Sequence, residues 1–477
     1  MPEPARLSLD YWRQHTHLLR EGLLQRVDEL SVSDYPAATP KQGATPYQVI
    51  RFLQDFLAHI CLTIDKATSE DRLRMLSALI RQLGVFLDWL DNAHTEQTPR
   101  GLAQLLKDLI DKMVPGSRVV ARPQAQYNYS IYDLGKTFAM LVSDFIPQSK
   151  QIEFSEHLSA PIKLISFPRI ERDNMLAHAI FGHELGHPVA EEFLANETRD
   201  HEHIATHPRI QKEVNDLVKQ NVAGLNADES QILALTTQTF DRILQVRERA
   251  LKELISDAVG IIIFGPCAFF ACYELFWTGS WDARPAHDSW YPPSRMRVRR
   301  MLALMDDLNL LDFSRIGGDS RISAYLGSMQ AFIDDARRLS AATDDQRGIE
   351  SDPLLKIAYN WMGESLTKAI EHAKVKTTAV AFQPEKILDQ LPELIQRLEI
   401  GVPPNEVGDP ANPITVDYRA SLLAAWLFKL RGINPDSGKT LTCEDIDRLR
   451  KKTLSAIEYV ILQDEYARHV TEHNIRG

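Results

Sequence analysis

Apolar residues recur at helical spacing along most of this chain. Over 46–66, Val49, Ile50, Leu53, Phe56, Leu57, Ile60 and Ile64 fall three and four apart. Over 70–91, Leu73, Leu76, Ile80, Leu83, Leu87 and Leu90 continue the stripe. The period changes after Pro115-Gly116. Val119-Val120-Ala121 reads as a short strand, Tyr127, Tyr129 and Ile131 alternate with polar residues, and 162–167 is another short apolar run. These segments predict a small sheet. Asp173 is placed to cap a helix starting near Asn174, and Pro188 predicts a kink or an end to that helix. Residues 189–252 are polar and read as helices with loops. A long helix is expected from about Asp228 into the apolar run 258–273, which Gly265-Pro266 interrupts. Residues 302–477 again read as mostly helical, with Leu422, Leu423, Trp426, Leu427 and Leu430 as a core stripe.

The expected class is mainly α with a small sheet (α+β). Three regions follow: a helical region over 1–114, a central domain over 115–305 with a helical insert at about 189–250, and a helical region over 306–477. The run 258–273 is short for a membrane span and has Glu253 and Asp257 just before it and Glu274 just after, so a buried core helix is expected.

Composition adds exclusions. A net charge of -11 argues against a general nucleic-acid surface. The basic run from Arg295 to Arg300 reads as a solvated or carboxylate-pairing face. Cys61, Cys267, Cys272 and Cys443 form no C-x-x-C pair, which favours a reducing compartment, and Met1 to Arg6 carry no apolar signal core. The expected location is the cytoplasm.

The chemistry concentrates in Phe181-Gly182-His183-Glu184-Leu185-Gly186-His187. Residues four apart share a helix face, so His183 and His187 can aim two imidazoles at one ion. Glu184 stands beside them, free to reach a water. This is the H-E-x-x-H pattern of zinc peptidases. The longer pattern, with further glycine and histidine positions, is absent, since Ala190 and Phe193 stand there. The third ligand therefore comes from elsewhere. His201, His203 and His207 read as solvated surface. Glu253 and Asp257, also four apart, are the better source: two histidines and a glutamate leave one zinc position open. Asp257 one turn on would accept from a ligand histidine's second ring nitrogen. The alternative, that both acids face water, sits poorly with the apolar run that begins at Ala258.

His183-Glu184-x-x-His187 followed by Glu253-x-x-x-Asp257 resembles the gluzincin zinc peptidases, the class that includes thermolysin. The resemblance spans roughly 162–301 and rests on two short motifs. It implies a zincin-like fold with one Zn2+ held by His183, His187 and Glu253, with Glu184 as general base and Asp257 orienting His183. The segment from Tyr291 to Arg295 is also similar to the His-Pro segment of membrane-embedded gluzincins, with Tyr291 where a histidine is expected. Tyr291 or His287 would then donate to the oxyanion. If 162–167 forms a sheet edge, an extended peptide would add to it as a strand. The expected activity is peptide-bond hydrolysis of a peptide or protein substrate. The competing readings are a helical scaffold with a structural or vestigial metal site, and a peptidase that cuts one dedicated partner. Either would use the helical flanks for protein contact.

Overall fold

A computed structural model of the chain describes residues 8–36, 45–145, 161–201, 207–223, 228–277, 291–316, 318–320, 322–341, 344–409 and 411–476. The fold is mainly helical and divides into two compact units, Met1–Asp173 and Asn174–Gly477.

In the first unit, α1 (Leu9–Leu30), α2 (Thr45–Asp65), α3 (Glu70–Asn92) and α4 (Arg100–Met113) precede the sheet. Ser8 and Ser69 begin α1 and α3 by accepting from the backbone N–H of Tyr11 and Arg72. The apolar stripes of α2 and α3 meet in a core that includes Phe52, Phe56 and Leu83. Phe138 of α5 (Leu134–Phe145) joins that core, with ring centroids 4.7 Å from Phe52 and 4.8 Å from Phe86.

The sheet comprises β1 (Arg118–Gln124), β2 (Ser130–Asp133) and β3 (Ile162–Pro168), in the order β1-β3-β2. β3 runs parallel to β1 and antiparallel to β2. This corrects one expectation. Residues 162–167 form the central strand, hydrogen-bonded on both sides, and offer no edge to an incoming peptide. A continuous apolar run buried on both faces is the composition of a central strand. The two units divide at 173/174. Pairing with β1 and packing of α2, α3 and α4 on β1 place the sheet with the N-terminal helices.

In the second unit, a 3-10 turn (Ala177–Ile180) leads into α6 (Phe181–His201). The helix carrying the histidines thus starts at Phe181 rather than near Asn174, and Asp173 does not cap it. Nor does Pro188 end it: α6 continues to His201. Packing of α6 on its neighbours outweighs the backbone bond that Pro188 cannot make. After α7 (Pro208–Asn221), α8 (Glu229–Phe264) opens with a capping box between Asp228 and Gln231. It ends at Gly265, and α9 (Pro266–Trp277) follows. Every residue from Ala258 to Tyr273 is buried, including Gly265 and Pro266 at the break. Among the described residues no helix is long and apolar enough to cross a membrane.

The remaining helices are α10 (Ser294–Asp307), α11 (Ser323–Ser340), α12 (Asp344–Glu350), α13 (Pro353–Thr377), α14 (Pro384–Ile387), α15 (Leu391–Glu399), α16 (Tyr418–Arg431) and α17 (Cys443–Arg476). A two-stranded ribbon pairs β4 (Glu406–Val407) with β5 (Ile414–Thr415). The stripe on α16 is core, with Leu422, Leu423, Trp426 and Leu427 all buried. α8 is the spine of this unit and packs on α6, α7, α10 and α13.

Candidate metal centre

The centre lies where α6 crosses α8, and small residues set how closely the two helices approach. A Cβ on Gly182 would stand 2.8 Å from the Cα of Gly260. One on Gly186 would stand 2.5 Å from the Cα of Ser256. Gly182 and Gly186 are four apart, as are Ser256 and Gly260, so one turn of each helix meets one turn of the other backbone to backbone. His183 and His187 flank the glycines on α6. Glu253 and Asp257 flank the small residues on α8. The close crossing therefore brings four polar side chains together inside a buried helix pair.

The ligand atoms of His183, His187 and Glu253 all lie within 4.8 Å of one another. His183 Nε2 is 3.5 Å from Glu253 Oε2. Ligands about 2.0–2.1 Å from a tetrahedral ion stand roughly 3.3–3.4 Å apart, so this pair is already spaced for one. The second nitrogen of each ring is engaged. His183 Nδ1 is 2.8 Å from Asp257 Oδ1, and His187 Nδ1 is 3.0 Å from Ser256 Oγ. Such bonds fix each ring and leave its Nε2 available as a ligand.

Arg297 of α10 closes the far side. Its Nε donates to Asp257 Oδ2 at 2.8 Å and its Nη2 to Asp257 Oδ1 at 2.6 Å. Its Nη1 lies 3.3 Å from Glu253 Oε2. The guanidinium sits over the Phe276 ring, 4.6 Å from the centroid. Arg297 thus holds both carboxylates against α8 while an aromatic face backs it.

Charge follows from this geometry. Burial disfavours an ionised Asp257, but the charge and hydrogen bonds of Arg297 prevail and hold it below the usual carboxylate range. Burial likewise disfavours protonation of His183, yet the hydrogen bond it donates to Asp257 and that carboxylate's charge prevail and raise its pKa. Burial, and then the neighbouring His183, press His187 down to about 3. Burial pushes Glu184 up, and the Glu253 carboxylate adds to the effect.

The residues present fit a divalent cation. Glu184, Glu253 and Asp257 are three buried carboxyl groups, and Arg297 is the guanidinium that pairs with the last two. Burying carboxyl groups is costly, and a cation among the three donors would relieve it. Two imidazoles and a carboxylate are also a set that such ions accept. The buried cluster His183-His187-Glu253 could hold a metal ion.

Glu184 points the same way without belonging to the three donors. Its Oε2 is 3.8 Å from His187 Nε2. Pro188 bears on it too: the N–H that Pro188 lacks is the one that would bond the Glu184 carbonyl. Tyr291 is 41% exposed and packs under the Arg249 guanidinium, 5.3 Å from its centroid, one turn before Glu253. It makes no hydrogen bond to the cluster among the described residues. His287 lies outside the described residues, as do His203 and the side chain of His201. His207 packs on Trp361 with ring centroids 4.9 Å apart, away from the cluster.

Three features of the site were not read from the sequence. Arg297 fell within the basic run assigned to a solvated or carboxylate-pairing face, but its partner 40 residues away leaves no periodic trace. Ser256 was passed over between two acids. Gly182 precedes the motif and Gly186 fills one of its unspecified positions, and neither carried an assignment. Their signal is two small residues at i and i+4 on each of two helices. No family model, curated protein or solved structure matches this chain.

Proposed function

We propose that this protein is a zinc-dependent metallopeptidase of gluzincin type, with a zincin-like arrangement around α6 and α8. The observation that supports it best is the convergence of His183, His187 and Glu253 from two helices, with the buried Glu184 carboxylate beside them. Zinc, when bound, supplies Lewis acidity that polarises a carbonyl and acidifies water. His183 and His187 would hold it through Nε2, and Glu253 through a carboxylate oxygen. Asp257 and Ser256 keep the two rings in register by binding their Nδ1 atoms.

Glu184 moves the protons. Its carboxylate takes one from the attacking water and returns it to the leaving amide nitrogen. A carboxylate whose affinity for protons is raised by burial suits both halves of that task. Arg297 does no chemistry on the substrate. It keeps Asp257 ionised and Glu253 in place.

A second reading, a peptidase confined to one partner, draws on the burial of His183 and Glu184, both only 8% exposed. An enclosed centre suits a substrate that brings its own extended segment rather than peptides in general.

The test compares wild type with Glu184→Gln for zinc content and for digestion of a peptide library. The expected variant keeps one zinc and cleaves about a thousandfold more slowly or less. Equal cleavage by both proteins removes Glu184 from the mechanism. Silence of wild type on the library, with cleavage of one protein from the same cell, selects the second reading.

A further inference from the structure

The polar cluster is closed at one end and open at the other. α6 runs antiparallel to α8: Gly182 meets Gly260, Gly186 meets Ser256, and Glu191 pairs with Lys252 at 2.7 Å. Exposure grows in the same direction along both helices. On α8, Asp257 and Glu253 are 3% and 4% exposed, whereas Arg249, one turn earlier on the same face, is exposed. On α6, His183 is buried and His187 half-buried. Asp257 and Arg297 fill the buried end. A substrate therefore reaches the three donors from the end where His187, Lys252 and Arg249 stand.

The two cations at that mouth are used differently. Lys252 is committed to Glu191. Arg249 has no ion pair among the described residues. Its guanidinium lies over the Tyr291 ring instead, 5.3 Å from the centroid. An aromatic face takes the flat of a guanidinium and leaves the N–H groups at its rim free to donate. Tyr291 thus orients the cation without neutralising it. Position separates this arginine from a free cation elsewhere on the surface. Residues four apart on a helix lie about 6 Å apart along its axis, so a peptide leaving the donors by the open end passes Arg249 within a few residues.

We infer that Arg249, held by Tyr291, is a specificity-determining residue that binds a substrate carboxylate roughly two or three residues from the scissile bond. This rests on the peptidase reading of the centre. The carboxylate is an acidic side chain or the C-terminus of the peptide. An extended peptide advances about 3.3 Å per residue, so two or three residues span the turn between Glu253 and Arg249. Guanidinium and carboxylate then pair through two parallel charge-assisted hydrogen bonds. In this role Tyr291 acts through its ring on Arg249, and not through its hydroxyl on the substrate.

The experiment measures kcat/KM of the zinc-loaded full-length protein on one peptide series. Its members differ by Glu, Gln or Lys at each position up to three from the scissile bond, with free or amidated C-terminus. In wild type, Glu at one position is expected to exceed Gln there by about fivefold, with Lys the poorest. If the C-terminus is the source, the free acid exceeds the amide by that factor instead. Arg249→Gln should erase the preference, Arg249→Glu should turn it toward Lys, and Arg249→Lys should keep most of it. Each ratio is taken within one protein, so a loss of folded or zinc-loaded enzyme cancels. Equal cleavage of the whole series by wild type overturns the inference and leaves the peptidase reading standing. So does a preference for the carboxylate that survives Arg249→Glu. Cleavage of none of the series by wild type overturns the peptidase reading, and the inference with it.

Discussion

Two buried charge clusters tie α6 to α8, and they differ in whether their polar atoms pair off or converge. In the first, Arg247 of α8 donates its Nη2 to Glu197 of α6 at 2.6 Å and to Ser365 Oγ of α13 at 2.7 Å. Ser365 in turn donates to Glu197 at 2.7 Å, and the guanidinium lies 4.5 Å from the Trp361 centroid. One cation meets one anion, and a hydroxyl and an aromatic face complete the set. In the second, six residues further along α8, three donor atoms converge without closing on one another. The first cluster pairs its two charges, with Arg247 Nε left buried and without a hydrogen-bond partner among the described residues. The second joins the same two helices with its carboxylates more deeply buried, and its three donor atoms face one another. Burial of ionisable groups alone therefore does not distinguish the two clusters; convergence of donor atoms does.

The comparison can be broken at either cluster. The largest effect is expected in the second, at Glu184. The Glu184→Gln chain should lose about a thousandfold or more in peptide cleavage while its zinc content and thermal midpoint hold, read by digestion and metal analysis. Next comes Arg247→Met in the first cluster. It leaves Glu197 without its partner and should destabilise the fold by about 3 kcal/mol in denaturant titration, discounted because Glu197 is partly exposed, with zinc content unchanged. Loss of zinc in that variant would show that the two clusters are not separable.

Gly186→Ala tests the helix crossing that both clusters share. A methyl group 2.5 Å from the Ser256 Cα must push α6 off α8, at a cost of about 1–3 kcal/mol. Zinc affinity should fall with it, since the donors on the two helices then separate. An unchanged affinity would mean that the close approach does not set the donor spacing. The smallest effect is expected from Asp257→Asn, which keeps size and removes charge. Zinc affinity should drop about ten- to a hundredfold in a competition titration. An unchanged affinity would assign Asp257 to packing alone.

Much of this site was legible because a helix repeats. The pairs His183/His187 and Glu253/Asp257 each declare a shared face by their spacing, and the apolar run after Asp257 signals that the acids enter a core. What brings the pairs together is not periodic. The glycines of α6 meet Ser256 and Gly260 on another helix, and Arg297 reaches Asp257 from a third. The long-range pairing of the sheet was equally silent: 162–167 reads as a strand, but nothing local tells a central strand from an edge. That the helix runs on past Pro188 was silent for a related reason. The cost of Pro188 to the backbone is a local fact, and the packing that carries α6 on to His201 is a tertiary one.

The most direct test of the second cluster is the zinc retained per chain after exhaustive dialysis, measured for wild type and for Glu253→Gln side by side. The account predicts one equivalent in the wild type and a clear loss when the only donor from α8 among the three is neutralised. A wild type that holds no zinc, or a Glu253→Gln chain that holds it as tightly, would contradict it.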